Sequence, residues 1–224
     1  MIKNISNLGD AAVYCDFGEE VSKEINSNVI KYFENIRDRN LKGITNLAPS
    51  YNKLIVSYDL SLTNYSKVKK IIEKLEIKEK KEKDSKIVEI PVCCENNFNL
   101  DAKRLEEILN IKFEKLLKIF FNKEYFCYMT GFIAGMPFLG DLNEKLRIKR
   151  LATPRVKVPK GSIGLTEQFC NIYTYESPGG WNIIGNTPLD VFDKDNQTRP
   201  MLINPGDKVK FNRINQEEYD NIKK

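Results

Sequence analysis

The sequence predicts an α+β fold, with a small N-terminal α+β sheet domain followed by a C-terminal β-barrel domain. Three observations predict it. The first 75 residues alternate between strand-like runs and two amphipathic helices. A run of mixed charges, residues 76–86, then interrupts the apolar pattern. From Tyr125 onward, short runs rich in Ile, Val, Tyr and Phe alternate with turns that contain Gly and Pro, which is the pattern of a closed barrel.

Residue periodicity predicts the N-terminal domain. A strand is expected over residues 11–17, and apolar residues at helical spacing predict a helix over residues 21–39. Two further strands, 44–48 and 53–58, precede a second amphipathic helix. This order predicts a sheet with helices on one face. The apolar helix positions are Ile25, Val29, Phe33 and Ile36 in the first helix, and Val68, Ile71, Ile72 and Leu75 in the second.

The charged run at residues 76–86 has almost no apolar side chains to bury, either as a solvated helix end or as a linker. We therefore place the domain boundary there, with an N-terminal domain over residues 1–80 and a barrel domain over residues 81–224. Acidic residues balance the lysines of this run, which argues against a nucleic-acid-binding arm.

The second domain is predicted from its short strands. A strand at residues 87–92 is followed by a helix for which Asp101 is a suitable capping residue. Another apolar helix face, which includes Phe120, follows directly. The remaining strands are expected at residues 125–131, 156–158, 162–165, 171–175, 181–184 and 207–211.

Composition argues against several classes of protein. The net charge of +5, from 36 basic and 31 acidic residues, is too small and too mixed to indicate a nucleic-acid partner. No apolar run approaches the ~20 residues that a membrane span needs, so no membrane association is expected. The first residues contain no long hydrophobic segment, and a cytoplasmic protein is therefore expected.

The five cysteines are interpreted as buried free thiols. Their number is odd, they show no repeated Cys-x-x-Cys spacing, and the chain contains no histidine. A structural zinc site would need a different ligand pattern, so no metal site is expected.

The richest stretch for a binding site is residues 131–187, which holds eight of the twelve glycines. Glycine and proline at this density specify rigid turns, and rigid loops are common places for binding sites. Three phrases mark the stretch: Gly131-Phe132-Ile133-Ala134-Gly135-Met136-Pro137-Phe138-Leu139-Gly140, Ala152-Thr153-Pro154-Arg155, and Ser177-Pro178-Gly179-Gly180-Trp181.

These phrases, in this order, resemble the family of 5-oxoprolinase B subunits, which is also labelled allophanate hydrolase subunit 1, KipI-like, or carboxyltransferase subdomains C and D. The resemblance extends to Pro205-Gly206-Asp207 and back to Val88-Glu89-Ile90-Pro91-Val92, so it covers nearly the whole chain. Several motifs in one order are more specific than any single short pattern. The resemblance implies that the barrel is cyclophilin-like, which is a statement about fold and not about prolyl isomerase activity.

The resemblance also implies a function. The chain would be one component of an ATP-dependent 5-oxoprolinase that opens 5-oxoproline to glutamate together with the A subunit of that enzyme and a carboxyltransferase-like C subunit. ATP would be bound by the complex and not necessarily by this chain, which would be inactive alone. The alternative is a KipI-like regulator or ligand-binding protein whose partner is a sensor histidine kinase.

The chain departs from the family pattern at several positions. Phe120 stands where relatives carry a histidine, and Phe169 stands in the glutamine position of a Gly-Gly-Gln-Thr-Gly turn, whose last glycine is Asn171 here. Without histidine, imidazole acid–base catalysis is impossible. The remaining candidates for acid–base or nucleophilic chemistry are Asp141, Glu144, Glu167 and Cys170.

Arg155 is the predicted catalytic, anion-binding residue. Residues 144–160 contain seven basic side chains against one acidic side chain, and a solvated basic face would explain most of them. Arg155 differs because it follows the Thr153-Pro154 turn, and a guanidinium on a rigid turn suits bidentate capture of carboxylate or phosphate. The predicted substrate-binding residues are Gly131, Phe132, Gly135, Phe138, Thr153, Pro178, Gly179 and Gly180. Phe132 and Phe138 are equally compatible with the core, and core packing is the simplest interpretation of Trp181.

Overall fold

The structure is a computed structural model that describes residues 1–78 and 87–223. The chain divides into two compact units, Met1–Asp84 and Ser85–Lys224. The predicted boundary between residues 80 and 81, and most of the charged run that suggested it, lie outside the described residues. The boundary of an independently folding domain therefore stays a prediction.

The N-terminal unit is a four-stranded antiparallel sheet with two helices. The strand order is β1-β2-β4-β3. Alternate residues of β2 and β4, such as Val13 and Val56, are fully buried and form one core with Val29 and Val68 of the helices. The elements are β1 (Asn4–Leu8), β2 (Ala12–Asp16), α1 (Lys23–Asp38), β3 (Ile44–Pro49), β4 (Lys53–Tyr58) and α2 (Tyr65–Glu73).

This arrangement confirms the predicted sheet and its two helices. Strand β1 was not predicted, because its sequence, Asn-Ile-Ser-Asn-Leu, has no clear alternation and it lies at the sheet edge. Helix α1 begins at a capped end, where the Ser22 hydroxyl accepts a hydrogen bond from the Ile25 amide at 3.2 Å.

The C-terminal unit is built around a closed seven-stranded barrel, as predicted. Its strand order is β10-β7-β6-β13-β5-β12-β9, and β9 pairs back with β10. The β5–β13 pair is parallel and the other pairs are antiparallel. The elements are β5 (Ile87–Cys93), α3 (Ala102–Leu109), α4 (Phe113–Phe121), β6 (Glu124–Thr130), β7 (Pro137–Gly140), β8 (Arg155–Val158), β9 (Ser162–Thr166), β10 (Phe169–Ile172), β11 (Ser177–Gly179), β12 (Asn182–Asn186), β13 (Lys208–Ile214) and α5 (Gln216–Lys223).

Aromatic side chains fill part of the barrel core. Phe120 of α4 is fully buried, and its ring centroid lies 5.0 Å from that of Phe211 and 5.1 Å from that of Tyr125. The Tyr125 hydroxyl donates a hydrogen bond to the Phe120 carbonyl at 2.8 Å. The position at which the resemblance implies a histidine is therefore a packed core position in this chain.

Several local predictions in this unit are wrong. The strand predicted at residues 156–158 is β8, but it pairs with β11 in a separate two-stranded sheet and is not part of the barrel. The strand predicted at residues 171–175 runs from Phe169 to Ile172. Residues 137–140 were assigned to a turn because of their proline and glycine, yet they form the buried strand β7, with Pro137 at its first position, where a missing amide donor is tolerated.

All five cysteines are buried and free, as predicted. Within residues 1–78 and 87–223, no helix is long and apolar enough to cross a membrane. Over the same residues, no group of three or more His, Cys, Asp or Glu side chains is arranged to hold a metal ion.

Candidate binding pocket

A small pocket in the barrel unit brings together residues from the glycine-rich stretch. Its volume is about 110 Å³. This exceeds the about 10–15 Å³ that one water requires and is below the about 300–1,000 Å³ of sites for drug-sized ligands. The pocket is therefore suited to a small molecule. Its lining residues are Phe132, Met136, Phe138, Arg150, Asn171, Tyr173, Pro178, Gly179, Gly180 and Trp181.

Aromatic rings form the apolar walls. Phe138 and Trp181 meet edge to face, with ring centroids 5.6 Å apart and an interplanar angle of 75°. Trp181 is only 6% exposed, so it is both a core residue and a wall of the pocket. Phe132 is 83% exposed and has a φ of 66°, which is uncommon for a residue with a bulky side chain. The fold therefore holds one aromatic side chain in solvent beside the pocket.

Two glycines allow close approach around this pocket. At Gly135 the φ is 69°, and a Cβ would collide with the Phe192 ring. At Gly179 a Cβ would collide with the Tyr173 hydroxyl. The Thr174 hydroxyl also donates to the Ala134 carbonyl at 2.8 Å, which ties the loop before β7 to the chain after β10. These contacts give the glycine-rich phrases a structural role in shaping the pocket.

Arg150 is the only cation among the described residues that line the pocket. It is exposed, its guanidinium carbon lies 5.7 Å from the centre of the Trp181 ring, and no carboxylate in the described part of the chain pairs with it. The backbone on both sides of Arg150 is fixed. The side-chain amide of Asn182 donates to the Lys149 carbonyl at 3.0 Å, and the backbone amide of Leu151 donates to the Gly180 carbonyl at 2.7 Å. Arg150 is thus positioned to bind an anion at the pocket.

Asn171 and Tyr173 are the buried polar groups of the pocket. Asn171 is 1% exposed, and its Oδ1 has no hydrogen-bond partner within the described residues. Its Nδ2 contacts the Met136 sulfur at 3.5 Å. Burial raises the pKa of the Tyr173 hydroxyl, although the Trp181 backbone, the Asn171 amide and the charges of Arg150 and Arg155 oppose this shift. Tyr173 therefore stays neutral at ordinary pH.

Arg155 lies next to this site but does not line it. Its Nη2 donates to Asp101 Oδ1 at 2.5 Å, and Asp101 Oδ2 accepts a hydrogen bond from the Ile183 amide at 2.6 Å. Asp101 is 4% exposed and links α3, β8 and β12. Asp101 is the N-cap residue of α3, as predicted, but its carboxylate makes no capping hydrogen bond to the helix end. The Arg155 Nη1 is buried without a partner within the described residues, and a direct role in anion binding stays a prediction.

The other predicted site residues lie outside the pocket lining. Gly131 and Thr153 are not among the lining residues, and Thr153 is exposed. Among the candidates for acid–base chemistry, Asp141 accepts a hydrogen bond from the Tyr128 hydroxyl at 2.9 Å, and Glu144 is an exposed partner of Arg147 at 3.8 Å. Cys170 is fully buried, and burial raises its pKa far above the ordinary value, so its thiol stays protonated. Glu167 is exposed at a turn with a φ of 47°.

Five of the predicted substrate-binding residues line this pocket: Phe132, Phe138, Pro178, Gly179 and Gly180. Gly131, Gly135 and Thr153 do not line it, and substrate binding by any of the eight stays a prediction. The structure adds to the pocket Met136, Arg150, Asn171, Tyr173 and Trp181. Arg150 was assigned to a solvated basic face, because nothing in the sequence shows which arginine lacks a carboxylate partner. Asn171 carried one signal, which is its departure from the glycine of the resembled motif.

A larger cavity of about 290 Å³ lies in the N-terminal unit beside α1 and β3. Its single charged lining residue, Arg37, lies 3.9 Å from Glu34 and 3.5 Å from Asp38. Because this cation has carboxylate partners and the predicted motifs are elsewhere, the smaller pocket is the better candidate site.

Known proteins resemble this chain over most of its length. A family model described as "Carboxyltransferase domain, subdomain C and D" matches residues 3–203. The B subunit of 5-oxoprolinase from Bacillus subtilis (strain 168) is 34% identical over 227 residues, covering 96% of this chain and 94% of that protein. The name of that protein does not favour the regulatory alternative.

Solved structures share the fold. TTHA0988 matches with a TM-score of 0.81 and 28% identity, over 92% of this chain but only 40% of that chain, so this chain spans about two fifths of that structure. The urea amidolyase of K. lactis matches with a TM-score of 0.80 over 96% of this chain and 15% of that chain, and at 19% identity it supports the fold alone. With the family model and the Bacillus relative, these matches lead to one conclusion: the chain belongs to the family of carboxyltransferase domains, subdomains C and D.

Proposed function

We propose that this chain is the B subunit of an ATP-dependent 5-oxoprolinase, which opens the cyclic amide of 5-oxoproline to give glutamate. The observation that carries the proposal is the near full-length correspondence with the Bacillus protein of that name. The pocket supports it, since its size, its aromatic walls and Arg150, which has no carboxylate partner among the described residues, suit a small cyclic acid.

The pocket supplies binding groups and few groups for proton transfer. Arg150 binds the substrate carboxylate, and Trp181 and Phe138 contact the apolar ring atoms. The lining includes no carboxylate, histidine or lysine, and Tyr173 is held neutral. Because an amide is unreactive, opening it requires activation of the carbonyl and delivery of water. We propose that partner proteins contribute those groups, so that this chain alone is inactive.

The partners in this proposal are the A subunit of the enzyme and a carboxyltransferase-like C subunit. ATP does not fit the pocket described here, because a nucleotide needs a larger site than about 110 Å³. The sequence also has no Gly-Lys-Ser/Thr phosphate loop. We therefore assign ATP binding to the complex and derive no step through ATP on this chain.

Reconstitution tests the proposal. The purified chain, mixed with its A and C partners, is expected to release glutamate from 5-oxoproline only when ATP is present, and to release none alone. In the complex, Arg150→Gln is expected to lower kcat/KM about 10–100-fold, the range for losing a hydrogen-bonded charge. Arg147→Gln is the matched control, because Arg147 is exposed and is not a pocket residue. Turnover by the isolated chain, or a full complex without ATP-dependent turnover, would overturn the proposal.

A further inference from the structure

We propose that Asn171 is a specificity-determining residue that accepts a hydrogen bond from an amide N–H of the ligand. The pocket would then select small carboxylic acids that carry a secondary amide, such as lactam acids. The choice of 5-oxoproline as the probe rests on the proposed function, whereas the assignment of Asn171 rests on the geometry of the pocket.

The buried amide of Asn171 is incompletely satisfied. The side chain is 1% exposed and lines the pocket, yet Oδ1 has no hydrogen-bond partner within the described residues. Most buried polar atoms are paired, and an unpaired one costs about 1–3 kcal/mol. A carbonyl oxygen only accepts hydrogen bonds, so the missing partner is an N–H or O–H donor.

The donor end of the same amide is already engaged. Nδ2 contacts the Met136 sulfur at 3.5 Å, and the Asn171 amide also helps to oppose the rise in the pKa of the Tyr173 hydroxyl. Protein contacts therefore engage the donor end of the amide and leave Oδ1 without a partner within the described residues. Such an oriented acceptor discriminates between ligands by whether they have the matching donor.

Arg150 and Asn171 together define the class of ligand. Arg150 has no carboxylate partner in the described part of the chain and suits an anionic oxygen pair. Asn171 suits a nearby N–H group, and the walls formed by Phe138 and Trp181 suit apolar ring atoms. A small cyclic acid whose ring contains an N–H group and apolar carbon atoms satisfies all three features within about 110 Å³.

Asn171 is also a feature of this chain in particular. In the motif that the sequence resembles, the corresponding position is glycine, which offers no side-chain acceptor. Selection through Asn171 would thus distinguish this pocket from one with glycine at the same position, and Asn171→Gly restores the residue of the motif.

Trp181 provides the readout, because it is the single tryptophan of the chain and lines the pocket. The full chain is titrated with 5-oxoproline and with 3-oxocyclopentane carboxylate, in which a methylene replaces the N–H group while the ring size and the positions of the carbonyl and the carboxylate are kept. We expect the wild-type protein to bind 5-oxoproline about 10–100-fold more tightly, the range for leaving a buried acceptor unpaired. Asn171→Gly is expected to bind both compounds equally.

Asn212→Ala is the matched control, since Asn212 lies on β13 and its side chain donates to Glu89, outside the pocket. It is expected to retain the preference of the wild-type protein. The comparison of the two compounds on the wild-type protein needs no variant, so the test stands even if Asn171→Gly folds poorly. Equal binding of both compounds, a preference that survives Asn171→Gly, or no saturable change in Trp181 fluorescence with either compound would overturn the inference.

These outcomes are separable from those of the proposed function. If the complex turns over 5-oxoproline while this chain shows no preference for the N–H group, the assignment of Asn171 is refuted and the proposed function is retained. A clear preference for the lactam, without ATP-dependent turnover in the full complex, would retain Asn171 as a specificity residue and refute the function.

Discussion

The loop around Arg150 and the strand β8 that begins at Arg155 belong to one basic stretch of sequence but have opposite surroundings. Arg155 is 26% exposed at its side chain and is bound to the buried carboxylate of Asp101. Arg150 is exposed, rests against the Trp181 ring and has no carboxylate partner in the described part of the chain. The first arginine connects elements of the fold, and the second faces a pocket.

The two arginines show how a charge that stabilises the fold differs from a charge that is available for binding. The Thr153-Pro154-Arg155 motif draws attention to Arg155. In the structure, however, the buried carboxylate of Asp101 already accepts a hydrogen bond from one nitrogen of its guanidinium. Arg150 has the less distinctive sequence, yet its backbone is fixed on both sides by Asn182 and Gly180 while its charge remains available. Fixed backbone with an unpaired charge is the combination expected of a binding residue.

The largest effect is expected at Asp101. Asp101→Ala leaves the Arg155 guanidinium without its carboxylate and the Ile183 amide without its acceptor. Breaking a buried ion pair costs about 3–5 kcal/mol, and we expect the lower part of that range because Arg155 is partly exposed. Urea unfolding of the barrel unit, followed by Trp181 fluorescence, measures the loss. Glu144→Ala, which removes an exposed partner of Arg147, is the control and should change the midpoint little. A midpoint for Asp101→Ala equal to that of the control would contradict the structural role.

A smaller effect is expected for Arg155→Lys. Lysine keeps the charge beside Asp101 but cannot reproduce the planar guanidinium, so we expect a loss of about 1 kcal/mol in the free energy of unfolding. Lys157→Ala on the same strand removes an exposed pair with Glu176 at 3.0 Å and should cost less, as surface pairs contribute about 0–1 kcal/mol. The predicted role of Arg155 as a direct ligand adds a second readout: only that role makes Arg155→Lys weaken ligand binding beyond its effect on stability.

The smallest effect concerns pH. The raised pKa of Tyr173 keeps its hydroxyl neutral below the ordinary value of about 10. Apart from Arg150, no other ionisable side chain in the described part of the chain lines the pocket, and the sequence has no histidine. Affinity for 5-oxoproline should therefore vary less than about twofold between pH 6 and pH 9. Titrations at four pH values measure it, and a midpoint near pH 7 would show that a group outside the pocket lining controls binding.

Much of the fold follows from local pattern. Strand β4, Lys53–Tyr58, was predicted with its bounds because the turn Pro49-Ser50-Tyr51-Asn52 precedes it. In the structure its residues alternate between half-buried and buried positions. Strands β7 and β11 were missed because prolines and glycines, which usually mark turns, here lie in short strands. Strand β7 pairs with its sequence neighbour β6 and with β10, and β11 pairs with β8. Local composition cannot show that such a segment is paired.

Part of the candidate pocket was likewise predictable from the sequence. The glycine-rich phrases led to Phe138 and Gly179, because close backbone approach leaves a signature in residue type. The sequence favoured Arg155 over Arg150, since Asp101, the partner of Arg155, lies 54 positions away and only the fold brings the two together. The unpaired state of Asn171 Oδ1 is likewise a property of the folded chain.

The most direct test compares ligand binding by Arg150→Gln and Arg155→Lys. Both variants are titrated with 5-oxoproline by Trp181 fluorescence, and each affinity is compared with the urea midpoint of the same variant. We expect Arg150→Gln to lose about 10–100-fold in affinity with an unchanged midpoint, and Arg155→Lys to lose stability with a smaller change in affinity. Wild-type affinity in Arg150→Gln together with a large loss in Arg155→Lys would contradict it and would place the anion at β8.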